Sequence, residues 1–204
     1  LRESLGAGGK LLIAIMPGSR RSEIDRLGGL FVDFVQAAAQ RFPNTIFAVP
    51  VANQKVGEQL KDLLMNRAPL PLQLIDSSQA RNLLITADFA VLASGTAALE
   101  AALVATPMIV SYKVSWLAYL FAQMTARVKH ASMPNHLMDV PLVPELLQGE
   151  ANLKNLLTTV VPYLENADLR HEQSRALSTI APTLQRDSGK LAALAIQGLL
   201  NNEQ

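Results

Sequence analysis

Short unbroken apolar runs alternate with longer stretches in which apolar residues recur every three or four positions, and this alternation dominates the chain. Residues 11–16 (LLIAIM), 46–51 (IFAVPV), 72–75, 89–93 (FAVLA) and 108–112 (MIVSY) each read as a strand buried on both faces. Pro50 has no N–H to give a ladder, which puts the end of the second strand near an edge or a bulge. Between the strands, residues 22–41 carry Ile24, Leu27, Leu30, Phe31, Phe34 and Val35 along one helical face. Residues 56–66, 78–86 and the alanine-rich 96–105 read as further helices. Strands alternating with helices at this spacing predict βαβ units around a parallel sheet.

Beyond Tyr112 the pattern changes. Residues 116–128 read as a markedly apolar helix closed by Arg127, Lys129 and His130. A stretch punctuated by Pro134, Pro141 and Pro144 follows, and three helices, 153–166, 168–180 and 188–201, finish the chain. Neither an internal repeat nor a low-complexity linker divides it, so one domain over 1–204 is expected. The chain opens on Leu1 and reaches its first strand almost at once, the pattern of a piece cut just upstream of a domain.

Composition narrows the class. Half of the residues are hydrophobic but only 5% are aromatic, which favours a layered helix-and-sheet protein over an all-β sandwich. With no cysteine there are no disulfides, thiolate metal sites or cysteine nucleophiles, which fits a cytosolic protein. A net charge of +1, without a basic stripe, argues against nucleic acid as a partner. No apolar run approaches the ~20 residues of a spanning helix.

Two turns carry candidate chemistry. The first is PGSRRSEI, residues 17–24, immediately after the first strand. In an open α/β sheet, ligands bind beyond the carboxyl ends of strands. Gly18 permits a tight turn there, and Ser19 and Arg20 reach the same mouth; the guanidinium is a fixed charge with a planar donor fork suited to phosphate. Read alone, the segment also fits a helix capped by Ser22 with Arg20 and Arg21 solvated.

The second turn is ASGTAALE, residues 93–100, where a buried strand ends and a helix begins. Helix N-termini present unpaired N–H groups and a partial positive charge. Gly95 allows close approach of a diphosphate, Ser94 and Thr96 offer hydroxyls, and Glu100 lies one turn beyond Thr96 on the same face, placed to hold two ribose hydroxyls. The plain alternative is an ordinary helix start, with Glu100 favourable near the dipole.

Taken in order, PGSRRSEI, LASGTAALEAAL, PMIVSYK and MPNHLMDVPLVPELLQ resemble segments of the lipid-A-disaccharide synthases, over most of residues 10–165. The similarity corresponds to the C-terminal half of that family. It implies the C-terminal, Rossmann-like doubly wound domain of a GT-B glycosyltransferase, binding the nucleotide of a UDP-sugar donor. Ser19 and Arg20 would contact the diphosphate, Ser94, Gly95 and Thr96 would cradle it, and Glu100 would bind the ribose. Arg20 would be the catalytic charge-stabilising group. Asn135 matches a polar position near the donor site, and Glu145 and Gln148 lie in the segment that lines the donor cleft in such enzymes. His136 departs from the family's leucine, which bears on the shape of that loop.

The implied partners are UDP-2,3-diacylglucosamine, an acylated glucosamine 1-phosphate and an N-terminal acceptor domain outside this chain. No metal or other cofactor is implied: Asp-x-Asp is absent, and His130, His136 and His171 have no metal spacing with carboxylates. The implied location is cytoplasmic. The apolar segment 116–128, flanked by Lys113, Arg127 and Lys129, fits either packing on the domain or peripheral contact with the inner face of the cytoplasmic membrane. Two other readings of the turns stay open: another GT-B UDP-N-acetylglucosamine transferase or epimerase, and a non-catalytic nucleotide-binding module.

Overall fold

The computed structural model describes residues 1–65, 67–114, 130–138 and 140–184, with the single positions 193 and 197. The helix expected over 116–128 lies outside the described residues, as does that over 188–201 apart from positions 193 and 197. The described strands are β1 (Leu11–Met16), β2 (Thr45–Val51), β3 (Leu72–Asp76), β4 (Phe89–Ala93), β5 (Met108–Tyr112) and β6 (Glu145–Leu147). The helices are α1 (Arg21–Arg41), α2 (Gln54–Met65), α3 (Ala80–Thr86), α4 (Thr96–Leu103), α5 (Met133–Leu137), α6 (Leu153–Glu165), α7 (Ala167–Ser178) and α8 (Ile180–Leu184). Single 3-10 turns cover Ser77–Gln79 and Gln148–Glu150.

All strand pairings are parallel, in the order β3-β2-β1-β4-β5-β6. Alternation along each strand divides the apolar runs between two cores. Ile13, Ile15, Phe47, Val49, Phe89, Val91 and Ile109 face α1, α2 and α6, where Phe31, Phe34, Leu60, Leu156 and Val160 complete a large-residue layer. Leu12, Ala14, Ala48, Ala90, Leu92, Met108 and Val110 face the other way, against Leu83 and Leu84 of α3, Ala98, Ala101 and Ala102 of α4, Leu177 and Ile180. This is why the strands read as unbroken apolar runs: neither face meets water. On the second face, alanines of α4 meet alanines of the sheet, and the small side chains let the helix backbone approach the strands closely.

Pro50 lies in an interior strand, not an edge strand, yet its missing N–H is tolerated for a related reason. The Phe47 N–H donates to Pro71 O beside β3, so even-numbered N–H groups of β2 point toward β1. The β1–β2 pairs end at Ala14↔Ala48, and Pro50 falls beyond them. The strand is unpaired on one side just where proline occurs.

The sequence reading missed three short elements, β6, α5 and α8. Glu-Leu-Leu is a helix-favouring triplet with no alternation, but it pairs with the open side of β5 as Val110↔Glu145, Ser111↔Leu146 and Tyr112↔Leu147. Tertiary pairing overrides local propensity here.

Candidate functional site

Strand order reverses between β1 and β4, and the chain leaves these two neighbours toward helices on opposite faces of the sheet. That divergence opens a crevice beyond their carboxyl ends. A cleft of about 390 Å³ occupies it. Gly18, Ser19, Arg20 and Glu23 line one side, and Ser94, Gly95, Thr96, Ala97 and Glu100 line the other. Pro50 and Ala52 after β2, and Ser77 and Ala80 after β3, close the end.

The β1–α1 loop is organised around Glu23. Arg20, in an extended conformation at φ −111° and ψ 146°, stands just before the first residue of α1. Glu23, at the third position of α1, reaches back: its Oε2 accepts from Ser19 N–H at 2.8 Å and Arg20 N–H at 3.3 Å. Its Oε1 meets Arg20 Nη1 at 3.4 Å. This is the returning half of a capping box: it relieves the N–H of the N-cap residue Arg20 and also takes that of Ser19 just before it. Gly18 makes room for it. Its φ of +126° disfavours any L side chain, and an added Cβ would stand 2.4 Å from both Cβ and Oε2 of Glu23. Asn53 braces the loop from the β2–α2 connection, donating from Nδ2 to Ser19 O at 3.3 Å while Oδ1 accepts from Val56 N–H. The capping role open to Ser22 therefore belongs to Glu23.

The β4–α4 turn is left open. Gly95 precedes α4, no side chain caps that helix, and its first turn contains no acid. A Cβ added at Gly95 would meet nothing within 4 Å, so the space above the helix start is clear. Glu100 projects into the same cleft from one turn further along. Ser94 is held in place: its N–H donates to Ser111 O at 3.0 Å and its Oγ donates to Ala131 O at 2.6 Å.

Behind Ser94 stands a polar network that sequence reasoning did not resolve. Glu145 accepts from Ala131 N–H at 2.8 Å, Ser132 N–H at 3.0 Å, Ser132 Oγ at 2.6 Å and Asn135 Nδ2 at 2.8 Å. Asn135 also donates to Val143 O and accepts from Leu142 N–H and Val143 N–H. Burial pushes the Glu145 carboxyl up, but the bonds from Ala131, the Ser132 hydroxyl and N–H, and Asn135 outweigh it and hold it below the ordinary glutamate range. Each bond ties the segment around Ala131 and Ser132 to the strand at the sheet edge.

Seven of the ten residues that the sequence pointed to thus meet in one cleft: Gly18, Ser19, Arg20, Ser94, Gly95, Thr96 and Glu100. Asn135 does not line it. The residue is 2% exposed and all four hydrogen-bonding positions of its side chain are taken, so it positions Glu145 instead of facing a ligand. Glu145 and Gln148 do not line the cleft either; Gln148 Oε1 accepts from Val114 N–H at 3.3 Å. Glu23, Asn53, Ser77 and the Ala131 carbonyl were missed. The rule that ligands gather beyond strand ends could have found Asn53 and Ser77, and the acid at the third helical position could have found Glu23. His130 and His136 pack edge to face with centroids 6.1 Å apart, and His171 lies on α7 beside Asp168 and Arg175. Among the described residues, no helix is long and apolar enough to cross a membrane.

A six-stranded parallel sheet with the order 3-2-1-4-5-6, helices on both faces and a polar cleft at its reversal defines a Rossmann-like α/β domain. Solved structures share this fold. One is the C-terminal domain of a group 1 family glycosyl transferase from Francisella tularensis (TM-score 0.59, 12% identity, 91% of this chain and 93% of that one). Another is a trehalose-6-phosphate synthase (TM-score 0.55, 9% identity, 89% and 42%). The lipid-A-disaccharide synthetase family matches residues 7–198, and the chain belongs to that family. It is 40% identical over 199 residues to the lipid-A-disaccharide synthase of Pseudomonas fluorescens, covering 98% of this chain and 52% of that protein. It is 38% identical over 206 residues to that of Psychromonas ingrahamii, covering 100% and 53%. The chain spans about half the length of these relatives.

Proposed function

We propose that residues 1–204 are the donor-nucleotide half of an inverting glycosyltransferase that joins UDP-2,3-diacylglucosamine to 2,3-diacylglucosamine 1-phosphate in lipid A biosynthesis. The observation that carries this reading is the meeting of the Gly18–Arg20 and Ser94–Thr96 turns in one cleft, with Glu100 a helical turn away, in a chain of this family. In the proposed reaction a hydroxyl of the acceptor sugar attacks the anomeric carbon of the donor. The bond to the diphosphate breaks, the configuration inverts, a β-1,6 disaccharide 1-phosphate forms, and UDP leaves. Negative charge grows on the leaving diphosphate. Arg20 and the uncapped start of α4 are the groups in this cleft that can stabilise it, and preorganised donors of this kind are a large catalytic term. Glu100 holds the ribose. The general base and most acceptor contacts lie in an N-terminal half outside this chain.

The direct test is calorimetric. UDP is expected to bind more tightly than UMP, because Arg20 and the α4 start address the second phosphate, and the affinity is expected to be unchanged by chelator. Equal affinities, or no binding, overturn the donor-site reading. Product analysis with the full-length enzyme then separates a disaccharide synthase from another UDP-N-acetylglucosamine transferase or an epimerase. Peripheral membrane contact through the apolar sequence 116–128 belongs to the same proposal, since the substrates carry acyl chains. It fails if replacing Leu120 and Phe121 with serine leaves liposome association of the full-length enzyme intact.

A further inference from the structure

We infer that Glu23 is a further residue of the donor site: its carboxylate occupies a phosphate seat at the start of α1, and the donor's phosphate displaces it. The inference rests on the donor-site reading above and adds a residue whose charge sets how tightly the nucleotide is held. Ser19 N–H and Arg20 N–H, the backbone donors that an incoming phosphate would use, both point at Glu23 Oε2, at 2.8 and 3.3 Å. The Arg20 guanidinium is drawn to the other oxygen of the same carboxylate, at 3.4 Å. An anionic group therefore already sits on the donors of this loop, and it belongs to the chain itself.

The contact is built to be surrendered. Arg20 is 80% exposed and Glu23 28% exposed on their side chains, and an ion pair that long and that wet contributes little. Glu23 stands at the rim of α1, whose buried face begins with Ile24 and Leu27, so its side chain can turn into solvent without disturbing the core. Phosphate oxygens and the carboxylate cannot share the same two N–H groups. A retained charge about 4 Å from a phosphate weakens binding roughly fivefold even in water-like surroundings. The start of α4, across the cleft, has no such internal anion.

The test compares Glu23→Gln with the parent chain in titrations with UDP, UMP and uridine. Glutamine keeps the size and an acceptor oxygen for Ser19 and Arg20 but not the charge. UDP is expected to bind the variant roughly fivefold more tightly, with uridine affinity unchanged and the thermal midpoint lowered by a few degrees at most. A purely structural cap would move all three nucleotides together. Glu23→Asp, one methylene shorter, draws the carboxylate back from the Ser19 N–H and is expected to tighten UDP as well, which keeps the inference testable should the glutamine variant fold poorly. UDP affinity that stays the same or weakens in both variants, while the parent binds UDP, overturns the role of Glu23 alone. Absence of UDP binding by the parent overturns the donor-site reading and this inference with it.

Discussion

Two helix starts face each other across the cleft and have been finished in opposite ways. Each follows a buried strand and a glycine-bearing turn, so each inherits unpaired N–H groups and a positive dipole end. At α1 the chain supplies its own anion, because Glu23 falls at the third helical position and can reach back to Ser19 and Arg20. At α4 the third position is Ala98, and the first acid, Glu100, stands two residues too late to do the same. A two-residue difference in where an acid falls separates a helix start that carries its own anion from one that carries none. A strand–glycine–helix signature is therefore incomplete evidence for an anion site until the third helical position is read with it.

Four experiments bear on this contrast, beginning with the largest effect. Ser94, beside the open start, is held by the Ala131 carbonyl, and Glu145 anchors Ala131. Glu145→Ala strands N–H and hydroxyl groups in a segment where Ser132 and Asn135 are buried, and is expected to cost about 3 kcal/mol. A chain of this size should then lose roughly 6–12 °C of thermal midpoint. The pH dependence follows from the same carboxyl. Its acidity is raised on folding, so its contribution is present above the ordinary value of 4.5 and is lost as pH falls through the lower folded value. The stability of Glu145→Gln should accordingly fall less steeply with acidification than that of the parent. Parallel slopes, or an unchanged midpoint in the alanine variant, would show that the network does not hold this segment.

Arg20→Ala in the full-length enzyme should lower turnover by about 10²-fold, the usual consequence of removing one charge-stabilising donor. Wild-type turnover would assign catalysis to the α4 side alone. Thr96→Asp makes the open start resemble the filled one. An acid in the first turn favours the helix, so the fold should hold or gain slightly, while UDP affinity should fall about fivefold or more. If UDP binding survives, the nucleotide's phosphates do not approach α4. Glu100→Ala should have the smallest effect: a several-fold rise in the Michaelis constant for the UDP-sugar with turnover nearly kept, since the ribose does not react. An equal loss in both parameters would place Glu100 at the reacting centre.

The legibility of the chain followed the same physics. Strands β1, β4 and β5 were readable to the residue because both faces are buried and the runs are apolar almost throughout, Ser111 of β5 being the one buried polar residue among them. β6 and α5 were not, because three and five residues are too few to show a period and their conformation is set by β5 and by the bonds of Asn135 and Glu145. The cleft residues on the β1 and β4 turns were legible because strand ends and glycines announce them. Asn135 misled, because in the sequence a buried structural amide is indistinguishable from a ligand-facing one. Glu23 stood in the quoted motif without a role, since its function depends on a backbone that bends back toward it.

The fit between Gly18 and Glu23 has a consequence for how this loop can change. Any side chain at position 18 meets the glutamate at 2.4 Å, so a substitution there also evicts Glu23 from Ser19 and Arg20. The two positions form one thermodynamic unit, and their single-site effects should be markedly non-additive in a double-mutant cycle. Once Glu23 has been shortened to alanine, Gly18→Ala should still carry its backbone strain and the 2.4 Å approach to the Cβ that alanine keeps, but no longer the clash with the carboxylate. A scan that replaces these residues one at a time counts the same contact twice.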